Sequence, residues 1–110
     1  MNDEIKKYLF DILESANSIE EYLRGKPDLA AYKTNKMLRR AIERELEIIG
    51  EAMNRIDKLK PTLNISAKKQ IIGMRNRVIH GYDTIDDEIV WGVIVRHLPV
   101  LKVEIEELLR

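Results

Sequence analysis

TNKMLRRAIERELEIIGEAMNRIDKLKP, residues 34–61, is the stretch whose reading decides the fold. Its apolar positions, Leu38, Ala41, Ile42, Ile49, Ala52, Met53, Ile56 and Leu59, return to one face of a helix, and charged residues fill the other. Thr34 is a good N-cap, and Pro61 is a stop because proline cannot donate the next helical hydrogen bond. The spacing predicts a helix of about 25 residues, roughly 37 Å long at 1.5 Å per residue.

The rest of the chain follows the same pattern. Residues 3–24 carry Ile5, Tyr8, Leu9, Ile12, Leu13, Ala16, Ile19 and Leu23 at helical spacing, with Asn2 placed to cap the start and Gly25 to close the end. After GKPD a short connection leads into the long helix. Ser66 is the expected cap of a third helix ending at His80 and Gly81. Asp86 is the expected cap of a fourth, in which Pro99 predicts a kink or break near Leu98. No period-two alternation competes. Four helices with short connections imply an all-α fold, an antiparallel four-helix bundle, and 110 residues make it one domain over 1–110.

Composition narrows the chemistry. Hydrophobic residues at 45% and charged residues at 35%, with three prolines and five glycines, describe an ordered helical chain. There is no cysteine, which excludes disulfides, thiolate nucleophiles and zinc–thiolate sites and suits a reducing cytosol. No stretch approaches the roughly 20 apolar residues of a membrane span, and MNDEIKKYLF lacks the layout of a signal peptide, so a cytoplasmic setting without membrane contact is expected. Nineteen basic residues balance nineteen acidic ones, so nucleic-acid binding requires a local patch.

RNRVIHGY, residues 75–82, departs from this regularity. On a helical wheel Ile71, Ile72, Met74, Val78 and Ile79 share one apolar face, and Arg75 falls near its middle. Gly73, Asn76 and His80 take another flank, where glycine would let a second backbone come close. Arg75 and His80 therefore meet only if Arg75 reaches around, if the helix ends before His80, or across two subunits. Glu45 lies in the apolar stripe of the long helix and is the expected partner of Arg75, because a buried charge without a counter-charge costs several kcal/mol. From the residues alone two readings stand: a structural ion pair beside an ordinary helix end, or a site.

The wider string carries a resemblance. IIGMRNRVIHGYD, residues 71–83, resembles the signature of the HEPN superfamily, in particular the HepT-like toxins of MNT/HEPN toxin–antitoxin pairs. Their motif is Arg, four residues, His, one residue, Tyr, which Arg75, His80 and Tyr82 match. LEIIGEA, residues 46–52, is similar to the family's second-helix block. EIVWGVIVRHLPVLKVEIEELL, residues 88–109, is similar to its fourth helix, with Trp91 and the Leu98–Pro99 pair. The Arg-x4-His pattern alone is weak; three blocks in order over nearly the whole chain are specific.

The resemblance implies a metal-independent, cofactor-free endoribonuclease, the toxin of a type VII system, acting on RNA as a homodimer whose two motifs face each other. By it, His80 is the catalytic base or acid, Arg75 the cation for charge developing on phosphorus, and Asn76 a supporting residue that orients His80. Arginine suits the role because its planar fork can hold two phosphate oxygens. Tyr82 is implied to receive AMP from a cognate MNT-type nucleotidyltransferase antitoxin, which would add negative charge and bulk beside the histidine. The same fold also serves, in some HEPN domains, as a non-catalytic binding or regulatory partner of a nucleotidyltransferase.

Other polar residues have plainer expectations. Lys36, Arg39, Arg40 and Arg44, with Lys33, form the most basic segment, fit to track RNA or dock an acidic partner if not simply a solvated face. Asp83, Asp86, Asp87 and Glu88 read as complements of a helix N-terminus rather than metal ligands. His97 reads as structural or surface, and Trp91 as core or dimer interface.

Overall fold

The computed structural model describes residues 1–80 and 87–110, with residues 77–80 as backbone alone. The chain forms α1 (Asp3–Tyr22), α2 (Leu29–Thr34), α3 (Lys36–Leu59), α4 (Lys68–His80), α5 (Asp87–Gly92), a π-helical turn (Val93–His97) and α6 (Leu98–Leu108). No strand occurs among the described residues. The architecture is the expected helical bundle: α1 packs chiefly on α3, α3 on α4, and α6 returns against α1. None of the described helices is long and apolar enough to cross a membrane.

The stripes identified in the sequence form the core. Ile42, Leu46, Ile49, Met53 and Ile56 of α3 are fully buried, against Leu9, Ile12 and Ile19 of α1 and Ile71 and Met74 of α4. At α3's 24 residues this stripe runs about 36 Å, close to the molecule's 41 Å long axis. Leu59 departs from the expectation: it ends the helix beyond the packed region and is 44% exposed.

Capping follows the sequence at α1 and departs from it elsewhere. The Asn2 side chain accepts the Ile5 N–H at 2.8 Å. Gly25, at φ +72°, closes the helix end by donating to the Glu20 carbonyl. Thr34 does not cap α3. It completes α2, a short helix absent from the sequence expectation, by donating its hydroxyl to the Ala30 carbonyl at 2.8 Å. The cap is Asn35, whose side chain accepts the Leu38 N–H at 3.1 Å. Ser66 likewise does not cap α4: its backbone N–H and hydroxyl both donate to the Glu104 carboxylate of α6. Ala67, in the left-handed region at φ 61°, turns the chain into α4. The expected roles of Gly81 and Asp86 lie outside the described residues.

The interruption expected near Leu98 takes the form of the π turn. The Leu98 N–H reaches back to the Val93 carbonyl, five residues earlier. Pro99 then falls in the first turn of α6, directly after the π turn. The wider turn takes up what a continuous α-helix would meet as a clash.

Candidate functional site

Arg75 is positioned by a glycine. A Cβ built on Gly50 of α3 would overlap the Arg75 Cβ and stand 2.8 Å from its Cγ and 3.0 Å from its Cδ. The missing side chain at position 50 is thus what lets α4 settle against α3 at this level. Gly73 makes no such approach within the protomer: a Cβ there meets nothing within 4 Å among the described residues.

With its stem against Gly50, Arg75 sends Nη2 to the Glu51 Oε2 at 2.7 Å. Glu51 also accepts from the Arg55 Nε at 2.9 Å. The Arg55 hydrogen bond, followed by the Arg75 and Arg55 charges, holds the Glu51 carboxyl below its ordinary value. The Arg75 side chain is 25% exposed, and its Nε is buried without a hydrogen-bond partner among the described residues. The guanidinium borders a groove of about 510 Å³ whose walls carry Lys7, Tyr8, Asp11, Arg44 and Glu47. Lys7 pairs with Asp11 at 2.9 Å and Arg44 with Glu47 at 3.7 Å, so these cations are largely balanced.

Glu45 is not the partner of Arg75. Its two oxygens accept from the Ser15 hydroxyl at 2.9 Å and the Tyr22 phenol at 2.7 Å, both on α1. The reason is register: Glu45 precedes Glu51 by six residues, about 9 Å along the axis, and the Gly50 contact fixes Arg75 at the later level. Burial of Ser15 accounts for an acid in this stripe, since a buried hydroxyl needs an acceptor. The Glu45 hydrogen bond in turn pushes the Tyr22 phenol above its ordinary value.

The basic segment divides. Arg39 is held by the fold: it pairs with Asp87 of α5 at 2.5 Å and lies over the Tyr32 ring at 5.0 Å. The Asp87 hydrogen bond raises the Arg39 pKa above its ordinary value. Tyr32 in turn packs against Trp91, ring centroids 5.5 Å apart, so the tryptophan joins α5 to α2. Lys36 and Arg40 are exposed, without an ion pair among the described residues. Asn76 is exposed on α4, and His80 ends that helix. Tyr82, Asp83 and Asp86 lie outside the described residues. Within one protomer Arg75 and position 80 stand about 140° apart around α4, as the wheel predicts. No group of three or more potential metal-binding side chains stands together among the described residues.

Gly50 and Glu51 escaped the reading of the sequence. The available signal was a glycine inside a long amphipathic helix, where it costs about 1 kcal/mol against alanine and so implies a close contact.

Comparison with known proteins bears on the same region. The family described as "Ribonuclease HepT-like" matches residues 12–108. The chain is 38% identical to a candidate RNase of Methanocaldococcus jannaschii, covering 94% of each chain. It is 33% identical to a protein of Thermococcus cleftensis named "Probable ribonuclease HepT", again over 94% of each. A candidate RNase of Caldanaerobacter subterraneus subsp. tengcongensis is 31% identical over 96% of this chain and 94% of its own. No solved structure matches.

Proposed function

The chain belongs to the HepT-like ribonuclease family, and from that premise we propose that it is a metal-independent endoribonuclease toxin acting through Arg75 and His80. The observation that carries the reading is the setting of Arg75: a guanidinium locked at its stem, anchored on one edge by Glu51, and bordering an open groove. The planar guanidinium is suited to holding phosphate oxygens.

RNA supplies its own nucleophile. His80 takes the proton of the 2′-hydroxyl as its oxygen attacks phosphorus, Arg75 stabilises the charge gathering on the non-bridging oxygens, and the 5′-oxygen leaves as it gains a proton. The products are a 2′,3′-cyclic phosphate and a 5′-hydroxyl. Asn76, exposed four residues before His80, supports the orientation of the histidine. Because Arg75 and position 80 face different flanks of α4, a homodimer that brings two motifs together completes the constellation. Tyr82, two residues after the histidine, is the acceptor for AMP from a partner nucleotidyltransferase of the MNT type, and the added phosphate repels RNA.

The test is incubation with total cellular RNA in EDTA beside His80→Ala of confirmed fold. The wild type should cleave to cyclic-phosphate ends and the variant should not. Cleavage that leaves 3′-hydroxyl ends refutes the 2′-hydroxyl mechanism. Absence of cleavage by both, with Tyr82 unmodified by mass spectrometry, replaces the enzyme with a non-catalytic binding partner of a nucleotidyltransferase.

A further inference from the structure

A second groove, of about 600 Å³, lies on the opposite flank of α4, between that helix and the α5–π-turn segment. Its polar lining is Lys69 and Gln70 from α4, Arg96 and His97 from the π turn, and Glu88 of α5. Lys69, Arg96 and His97 take part in no ion pair among the described residues. That contrasts with Lys7, Arg39, Arg44, Arg55, Lys68 and Lys102, each of which faces a carboxylate within 4 Å. Other cations, Lys36 and Arg40 among them, also lack an ion pair among the described residues, but Lys69, Arg96 and His97 stand together along one trough.

The floor of the trough is open backbone. Gly73 of α4 and Gly92, just before the π turn, both line it, and a Cβ on either meets nothing within 4 Å among the described residues. Met74, Ile89 and Val93 supply an apolar wall. The π turn presents Arg96 and His97 as consecutive residues at the groove.

Register connects this trough to the motif. Lys69 and position 80 lie eleven residues apart on α4, hence within about 20° of one another around the axis and about 16 Å apart along it. Gly73 falls between them on the same flank. An elongated anion entering at Lys69 and passing over Gly73 is directed toward the position of the motif histidine.

We propose that the α4–π-turn groove, through Lys69, Arg96 and His97, binds the phosphodiester backbone of single-stranded RNA and leads it to His80. A single strand suits the site better than a duplex: the trough has an apolar wall for unstacked bases beside its cations. Gln70 offers a neutral donor and acceptor for a base or a sugar hydroxyl. The inference rests on the ribonuclease reading and locates its substrate.

The experiment uses a fluorescent single-stranded 2′-O-methyl RNA, which lacks the nucleophile and so cannot be cut by 2′-hydroxyl attack. Affinity is measured against salt for the wild-type chain, for Lys69→Gln with Arg96→Gln, for the conservative Lys69→Arg with Arg96→Lys, and for Lys26→Gln, a cation of the α1–α2 connection. The expected result is weaker binding by the double glutamine variant and a log Kd against log salt slope reduced by about 1.4, at roughly 0.7 per neutralised contact. The conservative pair and Lys26→Gln should keep the wild-type slope. An unchanged slope in the double glutamine variant, or an equal loss in Lys26→Gln, overturns the assignment. So does a change of oligomeric state in the double variant by analytical ultracentrifugation, which makes the groove a contact between copies. Cleavage of ordinary RNA, run in parallel, separates the two ideas. Undiminished cleavage by the double variant removes the groove and leaves the ribonuclease standing; groove-dependent binding without wild-type cleavage does the reverse.

Discussion

Gly50→Ala is the most informative single substitution. The new Cβ would overlap the Arg75 Cβ and stand 2.8 Å from its Cγ, where carbon atoms prefer about 3.5–4.0 Å. The Cγ contact alone therefore demands a movement of about 1 Å. Because the Arg75 Cβ is fixed to its backbone, a side-chain rotation cannot relieve the overlap; α4 must retreat from α3. Overpacking of this kind costs about 1–3 kcal/mol, and alanine's better helix propensity returns about 1 kcal/mol. The expected net loss is about 0–2 kcal/mol in urea denaturation. Gly73→Ala, with open space at its Cβ, should instead hold its stability or gain up to about 1 kcal/mol. If Arg75 acts as proposed, the functional effect should exceed the stability effect, since displacing a charge-stabilising group by about 1 Å can cost on the order of 100-fold in rate. RNA cleavage under conditions where Gly50→Ala is fully folded reads this directly. Wild-type cleavage together with the full propensity gain would show that the helices do not meet as described.

Three further outcomes follow from the ionisable groups. Glu51→Gln should cost less than about 1 kcal/mol near neutral pH, the carboxylate being partly exposed and screened. Since the folded pKa of Glu51 is depressed, its stabilisation is present above the unfolded value, near 4.3, and is lost as pH falls through the folded value; the two stability curves should converge in acid. A gap that persists below about pH 2 would assign the difference to packing instead. Tyr32→Phe removes a buried hydroxyl with no hydrogen-bond partner among the described residues and should leave stability unchanged or raise it by up to about 1 kcal/mol. Burial pushes the Tyr32 pKa up to about 12, so its protonated form favours folding below an unfolded pKa near 10, and that contribution fades as pH rises through the folded value. The wild type should accordingly lose more stability than Tyr32→Phe between about pH 10 and 12. Arg39→Ala should cost about 1–2 kcal/mol by removing the Asp87 pair and the contact with Tyr32. Amide exchange should then quicken in α5 and leave the amides of α1 unaffected; uniform quickening would mean that Arg39 supports the whole bundle.

The sequence by itself determined the helices and their buried faces. Apolar periodicity is a local signal, and Leu9, Ile12, Ile49, Met53 and Ile56 are buried where a 3.6-residue repeat puts them. It also determined the family, because the spacing of Arg75, His80 and Tyr82 is a property of the string, borne out by the match over residues 12–108. Partners across helices were a different matter. Glu45 and Glu51 are both acids of α3, and only the level at which Gly50 admits α4 decides that Arg75 meets the second while Ser15 and Tyr22 take the first. Caps show the same limit: Ser66 has a capping residue's chemistry, but Glu104, thirty-eight residues later, competes for it and wins. Within the basic stretch of α3, Arg39 and Arg44 could not be told from Lys36 and Arg40, because charge is written in the sequence and compensation is not. Whether a cation is free depends on which carboxylates the tertiary fold brings within 4 Å, and in this protein those include residues as distant as Asp87 from Arg39 and Glu20 from Lys102.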